Sequence, residues 1–130
     1  MTGSKYLLDT CIVVEIFKGN KNIIEKVNKL SDFSISAIVL GELFIGTNRV
    51  INKSKHLKKL TDFISITKVF PLDSDTAEHY GLIVAELYKK GKPIPSNDIW
   101  IASTALQHGL TLITADNHFT EISQLKIKFW

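Results

Sequence analysis

Short apolar runs alternate with longer helical segments along this chain, and that alternation limits its possible folds more than any other feature. The runs are apolar and often β-branched, and they lie at residues 6–8, 33–35, 66–70, 110–113 and 125–129. Helical patterns begin near Thr10, Asn22, Ser36, Asn52, Ser74 and Ser96. Strands that alternate with helices predict a parallel sheet with helices on both faces. Ligands of such folds bind beyond the carboxyl ends of the strands.

Size and composition predict one domain over residues 1–130. Hydrophobic residues make up 45% of the chain and charged residues 22%, which favours a folded core over disorder. The single cysteine, Cys11, excludes an internal disulfide and a cysteine-based zinc knuckle. No apolar stretch approaches the ~20 residues of a spanning helix, and residues 1–17 make a poor signal peptide. We therefore expect a soluble, cytoplasmic protein that has no membrane segment.

The acidic residues divide into two groups. One group has a lysine at i±3 or i±4, which is typical of solvated helix faces: Glu15, Glu25, Asp62 and Glu86. A second group resists this explanation: Asp9, Glu42, Asp98 and Asp116. Two of these follow strand-like runs, and Glu42 has only Ile38, Val39, Ile45 and Gly46 as its helical neighbours.

Each of these four carboxylates has an ordinary explanation when taken alone. Asp98 could cap a helix, and Asp9 could be a turn residue at a strand end. Glu42 could pair with a distant lysine, and Asp116 could be a loop acid. Taken together, they would meet at one edge of the sheet and resist ionising unless a cation joined them. Oxygen ligands select Mg²⁺ or Mn²⁺, and such an ion can activate water against a phosphodiester.

Four sequence blocks resemble the PIN-domain nucleases, and most closely the VapC toxins of prokaryotic toxin–antitoxin modules. The blocks occur in the family's order and read YLLDT at Asp9, SAIVLGEL at Glu42, PSNDIWIA at Asp98 and LITADNHF at Asp116. The resemblance implies a three-layer α/β/α fold with a five-stranded parallel sheet in the order 3-2-1-4-5. It also implies Mg²⁺- or Mn²⁺-dependent endonucleolytic cleavage of RNA that leaves a 5′-phosphate and a 3′-hydroxyl.

The resemblance also implies roles for residues and partners. Asp9, Glu42, Asp98 and Asp116 fall on the family's acidic metal-binding positions. Supporting roles fall to Thr10, Thr114 and Asn97, although each could simply cap a helix or end a strand. The implied partners are a second copy of the chain and an antitoxin whose C-terminal segment lies across the acids. Phe44, Ile45 and Trp100 fit a dimer interface or the core, and core is the commoner fate.

The net charge of +3 suits a polyanionic partner, and the densest basic segment gives candidate RNA-binding residues. These are Arg49, Lys53, Lys55, Lys58 and Lys59, which could equally form a solubilising helix face. His118 is expected to support the acidic loop rather than bind metal, and Cys11 to pack in the interior.

Other functions are less consistent with the same residues. An aspartate-nucleophile phosphotransferase needs a second Asp at the position of Cys11, and a receiver domain needs an acid pair beside Asp9. Two alternatives stay open: a housekeeping RNA-processing nuclease of the same family, and a non-catalytic RNA-binding module.

Overall fold

The structure, a computed structural model, describes residues 5–130. Five short strands form its sheet: β1 Tyr6–Leu8, β2 Ser34–Ser36, β3 Lys68–Phe70, β4 Thr111–Thr114 and β5 Ile127–Phe129. Six α-helices connect them: α1 Thr10–Phe17, α2 Lys21–Asn28, α3 Ala37–Arg49, α4 Lys53–Ser65, α5 Ser74–Lys90 and α6 Ser96–His108. A short 3₁₀ helix, Asn117–Glu121, lies between β4 and β5.

The sheet is parallel throughout and has the order β3-β2-β1-β4-β5, which confirms the predicted fold class. The chain runs from β1 outward to β3 and then crosses back to β4 and β5. Right-handed connections in opposite directions place helices on both faces of the sheet. The strand order therefore reverses between β1 and β4, where ligand sites of such sheets form.

Side-chain caps begin the helices that follow β1 and β2. Asp9 accepts from the Thr10 backbone N–H at 2.8 Å, and Ser36 accepts from the Ile38 N–H at 3.1 Å. Gly91 ends α5 with φ +65°, a left-handed conformation in which a Cβ would cause strain.

The core lies where both sheet faces are covered. Leu7, Leu8, Ile35, Leu112 and Ile113 are fully buried in the three central strands. Burial on both faces explains why consecutive apolar residues occur in β1 and β4, whereas β2 buries Ser34 and Ser36 on either side of Ile35. The strands thus form a rigid support for the residues that follow them.

Several local expectations are corrected. α3 continues past Gly46 to Arg49, and α4 includes residues up to Ser65, so β3 begins only at Lys68. The 3₁₀ helix was not predicted, and β5 is shorter than the predicted 125–129. The expected side-chain cap of α6 is absent, because Pro95 occupies the N-cap position and makes no side-chain hydrogen bond.

Among residues 5–130, no helix is both long enough and apolar enough to cross a membrane.

Candidate metal-binding site

Three of the four acids follow or begin elements at the carboxyl edge of the sheet. Asp9 comes directly after β1, Asp116 lies two residues after β4, and Asp98 lies in the first turn of α6. Glu42 lies in the middle of α3, the helix that follows β2. The backbone N–H of Asp9 donates to the Ile113 carbonyl at 3.0 Å, which holds the ends of β1 and β4 together.

Asp9 is the most buried of the four carboxylates, with 6% of its surface exposed. The Thr114 hydroxyl donates to Asp9 Oδ2 at 2.7 Å and accepts from the Asp116 N–H at 3.0 Å. The Cys11 thiol also lies 3.6 Å from Asp9 Oδ2. Thr114 therefore links the two acids that follow β1 and β4, and Cys11 lies half-buried beside them.

Glu42 is half-buried and is held from α1. The Thr10 hydroxyl donates to Glu42 Oε1 at 2.6 Å. This contact joins α3 to the residue after Asp9, although 32 positions separate Thr10 and Glu42 in the sequence. The carboxylate thus has a hydroxyl partner in place of the distant lysine considered above.

His118 lies between Asp98 and Asp116. Its Nε2 is 2.7 Å from Asp98 Oδ2, and its Nδ1 is 2.8 Å from Asp116 Oδ1. The Nε2 contact is short enough to be a hydrogen bond that holds His118 against Asp98. One potential metal-ligand atom from each of Asp98, Asp116 and His118 lies within 4.8 Å of the other two, which is close enough for the three to share a metal ion.

The electrostatics connect the acids to one another. Burial raises the pKa of Asp9, and the negative charge of Glu42 raises it further, against the hydrogen bond from Thr114. Burial also raises the pKa of Asp98, His118 opposes this shift, and the charges of Asp9 and Asp116 add to it. Within residues 5–130, no lysine or arginine forms an ion pair with any of the four acids.

The structure also tests the helix-cap and loop explanations that were considered for the single acids. Asp98 does not cap α6, and neither does Asn97, which is exposed in the first turn. Asp116 does cap the 3₁₀ helix, since its Oδ1 accepts from the His118 N–H at 3.2 Å. His118, which the sequence predicted to support the acidic loop, does contact Asp116, but its contact with Asp98 was not predicted.

The predicted basic segment lies away from these contacts, at the end of α3 and along α4. Lys58 pairs with Asp62 at 3.4 Å, and Lys59 donates to the Phe17 carbonyl at 3.1 Å. Arg49, Lys53 and Lys55 are exposed. None of the five contacts the acids within the part of the chain that the structure describes.

The three apolar residues considered for a dimer interface or the core differ in their exposure to solvent. Phe44 and Ile45 are 38% and 57% exposed, so their expected burial in the core is wrong. Trp100 is half-buried, with its ring stacked 4.1 Å from that of Tyr80. Both exposed side chains follow Glu42 on α3.

Comparison with known proteins places this geometry in a family. The model of the PIN domain matches residues 6–125, which include all four acids. The chain belongs to the PIN-domain family. Ribonuclease VapC2 of Haemophilus influenzae is 32% identical over 129 residues, 97% of this chain and 98% of that protein. The tRNA(fMet)-specific endonuclease VapC of Salmonella typhimurium is 33% identical over the same shares of the two chains.

Solved structures with the same fold include toxin–antitoxin complexes. The DNA-bound VapBC complex of Salmonella typhimurium contains a chain that superimposes with a TM-score of 0.91 at 33% identity, covering 98% of this chain and 99% of that one. A chain of VapBC2 from Rickettsia felis, bound to a DNA fragment from its promoter, gives a TM-score of 0.87 at 32% identity, covering 96% and 98%. The PIN-domain, VapC-like assignment made from the four sequence blocks is thereby confirmed.

Proposed function

We propose that this single-domain protein is a Mg²⁺- or Mn²⁺-dependent endoribonuclease and the toxin of a toxin–antitoxin pair. The observation that carries the proposal is the cluster of Asp98, Asp116 and His118, to which the Thr114 hydroxyl connects Asp9, in a chain of the PIN-domain family. Burial raises the pKa of Asp9 and of Asp98, and the charges of neighbouring carboxylates add to both shifts, so a cation at this place would offset both effects.

The donor set fits a divalent ion. Carboxylate and hydroxyl oxygens dominate it, and these are the ligands that Mg²⁺ and Mn²⁺ prefer. Ligand atoms of Asp98, Asp116 and His118 lie within 4.8 Å of one another, a spacing that one shared ion could span. We assign Asp9, Asp98 and Asp116 to hold the ion, with Glu42 at the side nearest α3.

When bound, the ion supplies an acidified water and neutralises charge on the phosphodiester. The protein holds its own carboxylates in place: Thr114 fixes Asp9, and Thr10 fixes Glu42 through Oε1. Oε2 of Glu42 stays available to take a proton from the attacking water. Attack at phosphorus that expels the 3′-oxygen leaves a 5′-phosphate and a 3′-hydroxyl.

The decisive test is Asp98→Asn, which removes the charge and keeps the shape. We expect RNA cleavage to fall at least about 100-fold while the far-ultraviolet circular dichroism stays unchanged. Asp75→Asn is the matched control, because Asp75 is an exposed carboxylate in the first turn of α5. We also expect Mg²⁺ to raise the melting temperature of the parent more than that of Asp98→Asn. Full activity in Asp98→Asn would contradict the proposal.

We assign the antitoxin to a groove between α1, α3 and α4. Its exposed surface is mostly apolar, with Val14, Phe17 and Leu43 lining a space of about 240 Å³, and Glu42 is among its polar lining residues. A peptide segment in this groove would reach the acids at one end, which would block access of RNA. The antitoxins in the VapBC complexes that resemble this chain support such a partner. A housekeeping nuclease of the same family would need no such partner.

We further propose that the protein forms a homodimer. Phe44 and Ile45 expose apolar surface on α3, which a second copy would cover. Sedimentation of the purified chain gives the oligomeric state directly.

A further inference from the structure

A basic and aromatic pocket lies between α2 and the outer strand β5, outside the acidic site. It encloses about 530 Å³. We call it the α2–β5 pocket and define it by three lysines and three aromatic residues: Lys26, Lys29, Lys128, Tyr6, Phe129 and Trp130. No Asp or Glu side chain of the described range 5–130 lines it.

The lysines of this pocket carry charge that no acid neutralises. None of the three forms an ion pair with a described residue, unlike Lys18 and Lys58 elsewhere on the surface. Lys26 Nζ lies 5.7 Å from the centre of the Trp130 ring, and Lys128 Nζ lies 5.7 Å from that of Tyr6. A cation–π contact at this distance does not use up the three N–H donors of an ammonium group. These lysines can therefore still hydrogen-bond a phosphate.

Cations beside aromatic rings suit one class of ligand in particular. Unpaired nucleotides offer a phosphate for each lysine and a flat base for each ring, and stacking tolerates any base. Phe129 is 46% exposed and so presents its ring to solvent. A duplex hides its base faces, so this combination favours single-stranded nucleic acid.

The α2–β5 pocket is also joined to the acids. The Trp130 backbone N–H donates to the Thr114 carbonyl at 3.0 Å, and the Thr114 hydroxyl bonds Asp9. Phe129 is in register with Thr114 across the sheet. The end of β5 that borders the pocket is therefore paired with the end of β4 that precedes Asp116, so an RNA segment bound beside Trp130 would lie on the side of the carboxylate edge.

The basic segment on α4 offers a poorer surface for the same ligand. Lys58 is already paired with Asp62, and the Lys59 ammonium is bonded to a backbone carbonyl. Lys53–Ser65 contains no Tyr or Trp, and its one Phe, Phe63, is buried, so His56 is the only exposed ring on this helix. The segment also borders the groove assigned to the antitoxin.

We propose that the α2–β5 pocket binds the single-stranded stretch of the RNA substrate that flanks the cleaved phosphodiester. This inference rests on the proposed ribonuclease function. It assigns substrate binding to Lys26, Lys29 and Lys128, with Phe129 as a stacking surface, in place of the α4 lysines.

The test measures RNA affinity by fluorescence anisotropy with a labelled single strand of about 12 nucleotides, which spans one such surface. The protein is the full chain carrying Asp98→Asn, so that the probe is not cut. Replacing Lys26, Lys29 and Lys128 together by Gln should weaken binding about 30–100-fold at 0.1 M salt. The slope of log K against log salt should fall by about 2, since each lost phosphate contact accounts for about 0.7.

The matched control replaces Arg49, Lys53 and Lys55 by Gln. It removes the same net charge from the other basic surface, so it separates a local contact from a change in overall charge. We expect its affinity to fall less than about 3-fold and its salt slope to change little. Phe129→Ala should weaken binding about 10-fold with the salt slope unchanged, because a stacking contact releases no counterion.

Equal loss in the pocket and control variants, or loss in the control alone, would overturn the inference. Melting curves of each variant check that the fold is intact. Cleavage by the parent chain is measured separately. If the parent cuts RNA and the pocket variant binds RNA as tightly as the protein without the lysine substitutions, the α2–β5 pocket is rejected but the nuclease function is not. A parent that cuts no RNA rejects the nuclease itself.

Discussion

At the scale of single residues, the site depends on hydroxyl groups as much as on acids. The Thr114 hydroxyl hydrogen-bonds both the Asp9 carboxylate and the Asp116 backbone N–H, and the Thr10 hydroxyl donates to Glu42. A hydroxyl can donate to one carboxylate while it accepts from a backbone N–H, so it aligns two groups that would otherwise repel. These two threonines thereby fix the acids without adding charge.

His118 gives the prediction that belongs to this scale. Its ring touches Asp98 and Asp116 and keeps their oxygens close together, so His118→Gln should weaken Mn²⁺ binding about 10–100-fold. Isothermal titration calorimetry measures the affinity directly. His56→Gln serves as the control, because His56 is exposed on α4. Tighter Mn²⁺ binding in His118→Gln would mean that the imidazole competes with the ion.

The sequence predicted four acids for the candidate site but not the contacts that the structure shows around them. Glu42 stood out because its helical neighbours are all apolar or glycine, which is a local property. The bond from Thr10 to Glu42 and the position of His118 depend on how α1, α3 and the 3₁₀ helix pack. No local pattern contains that information.

At the scale of elements, one carboxylate joins two helices. Asp73 caps α5, where its Oδ1 accepts from the Thr76 N–H at 3.0 Å, and the same oxygen accepts from the Gln107 amide of α6 at 2.9 Å. The Thr76 hydroxyl completes the capping box by accepting from the Asp73 N–H. The cap predicted at Asp73 or Ser74 therefore also fixes how α5 lies against α6.

Asp73→Ala should lower the melting temperature by a few degrees, since both the cap and the bond to α6 are lost. The hydrogen bonds from the Thr76 N–H and hydroxyl lower the pKa of Asp73 below its usual 3.8. A lowered carboxyl pKa stabilises the fold above about pH 4, and the gain disappears as pH falls through the folded value. The two melting temperatures should therefore converge toward pH 2. Asp75→Ala is the control, and a constant difference at all pH values would contradict the account.

Boundaries were harder to predict than the elements themselves. Ile66 and Thr67 look like strand residues, yet the Thr67 hydroxyl bonds the Phe63 carbonyl and ends α4 there. β-branched residues occur at helix ends as well as in strands, and packing against neighbouring residues determines which forms. The sequence pattern therefore placed the start of β3 two residues too early. The order of the strands came from the family resemblance, because short apolar runs do not specify which strand lies beside which.

At the scale of the whole molecule, two different surfaces meet the acids. The α2–β5 pocket is basic and aromatic, and the groove between α1, α3 and α4 is mostly apolar. Glu42 is among the polar residues that line the groove, and Trp130 joins the pocket to Thr114. An RNA strand and a peptide segment would thus approach one site from different sides, which lets an antitoxin block the acids without covering the whole RNA surface.

Filling the groove should separate the chain from its antitoxin. Gly46 lies on the groove wall in α3, and a Cβ there would meet no atom within 4 Å, so Gly46→Trp adds a large ring in the space assigned to the peptide. The substitution should not unfold α3, because glycine is a poor helix former. We expect affinity for the proposed antitoxin to fall at least about 100-fold, measured by surface plasmon resonance. Gly81→Trp, at an open position on α5, is the control. Unchanged affinity in Gly46→Trp would place the antitoxin on another surface.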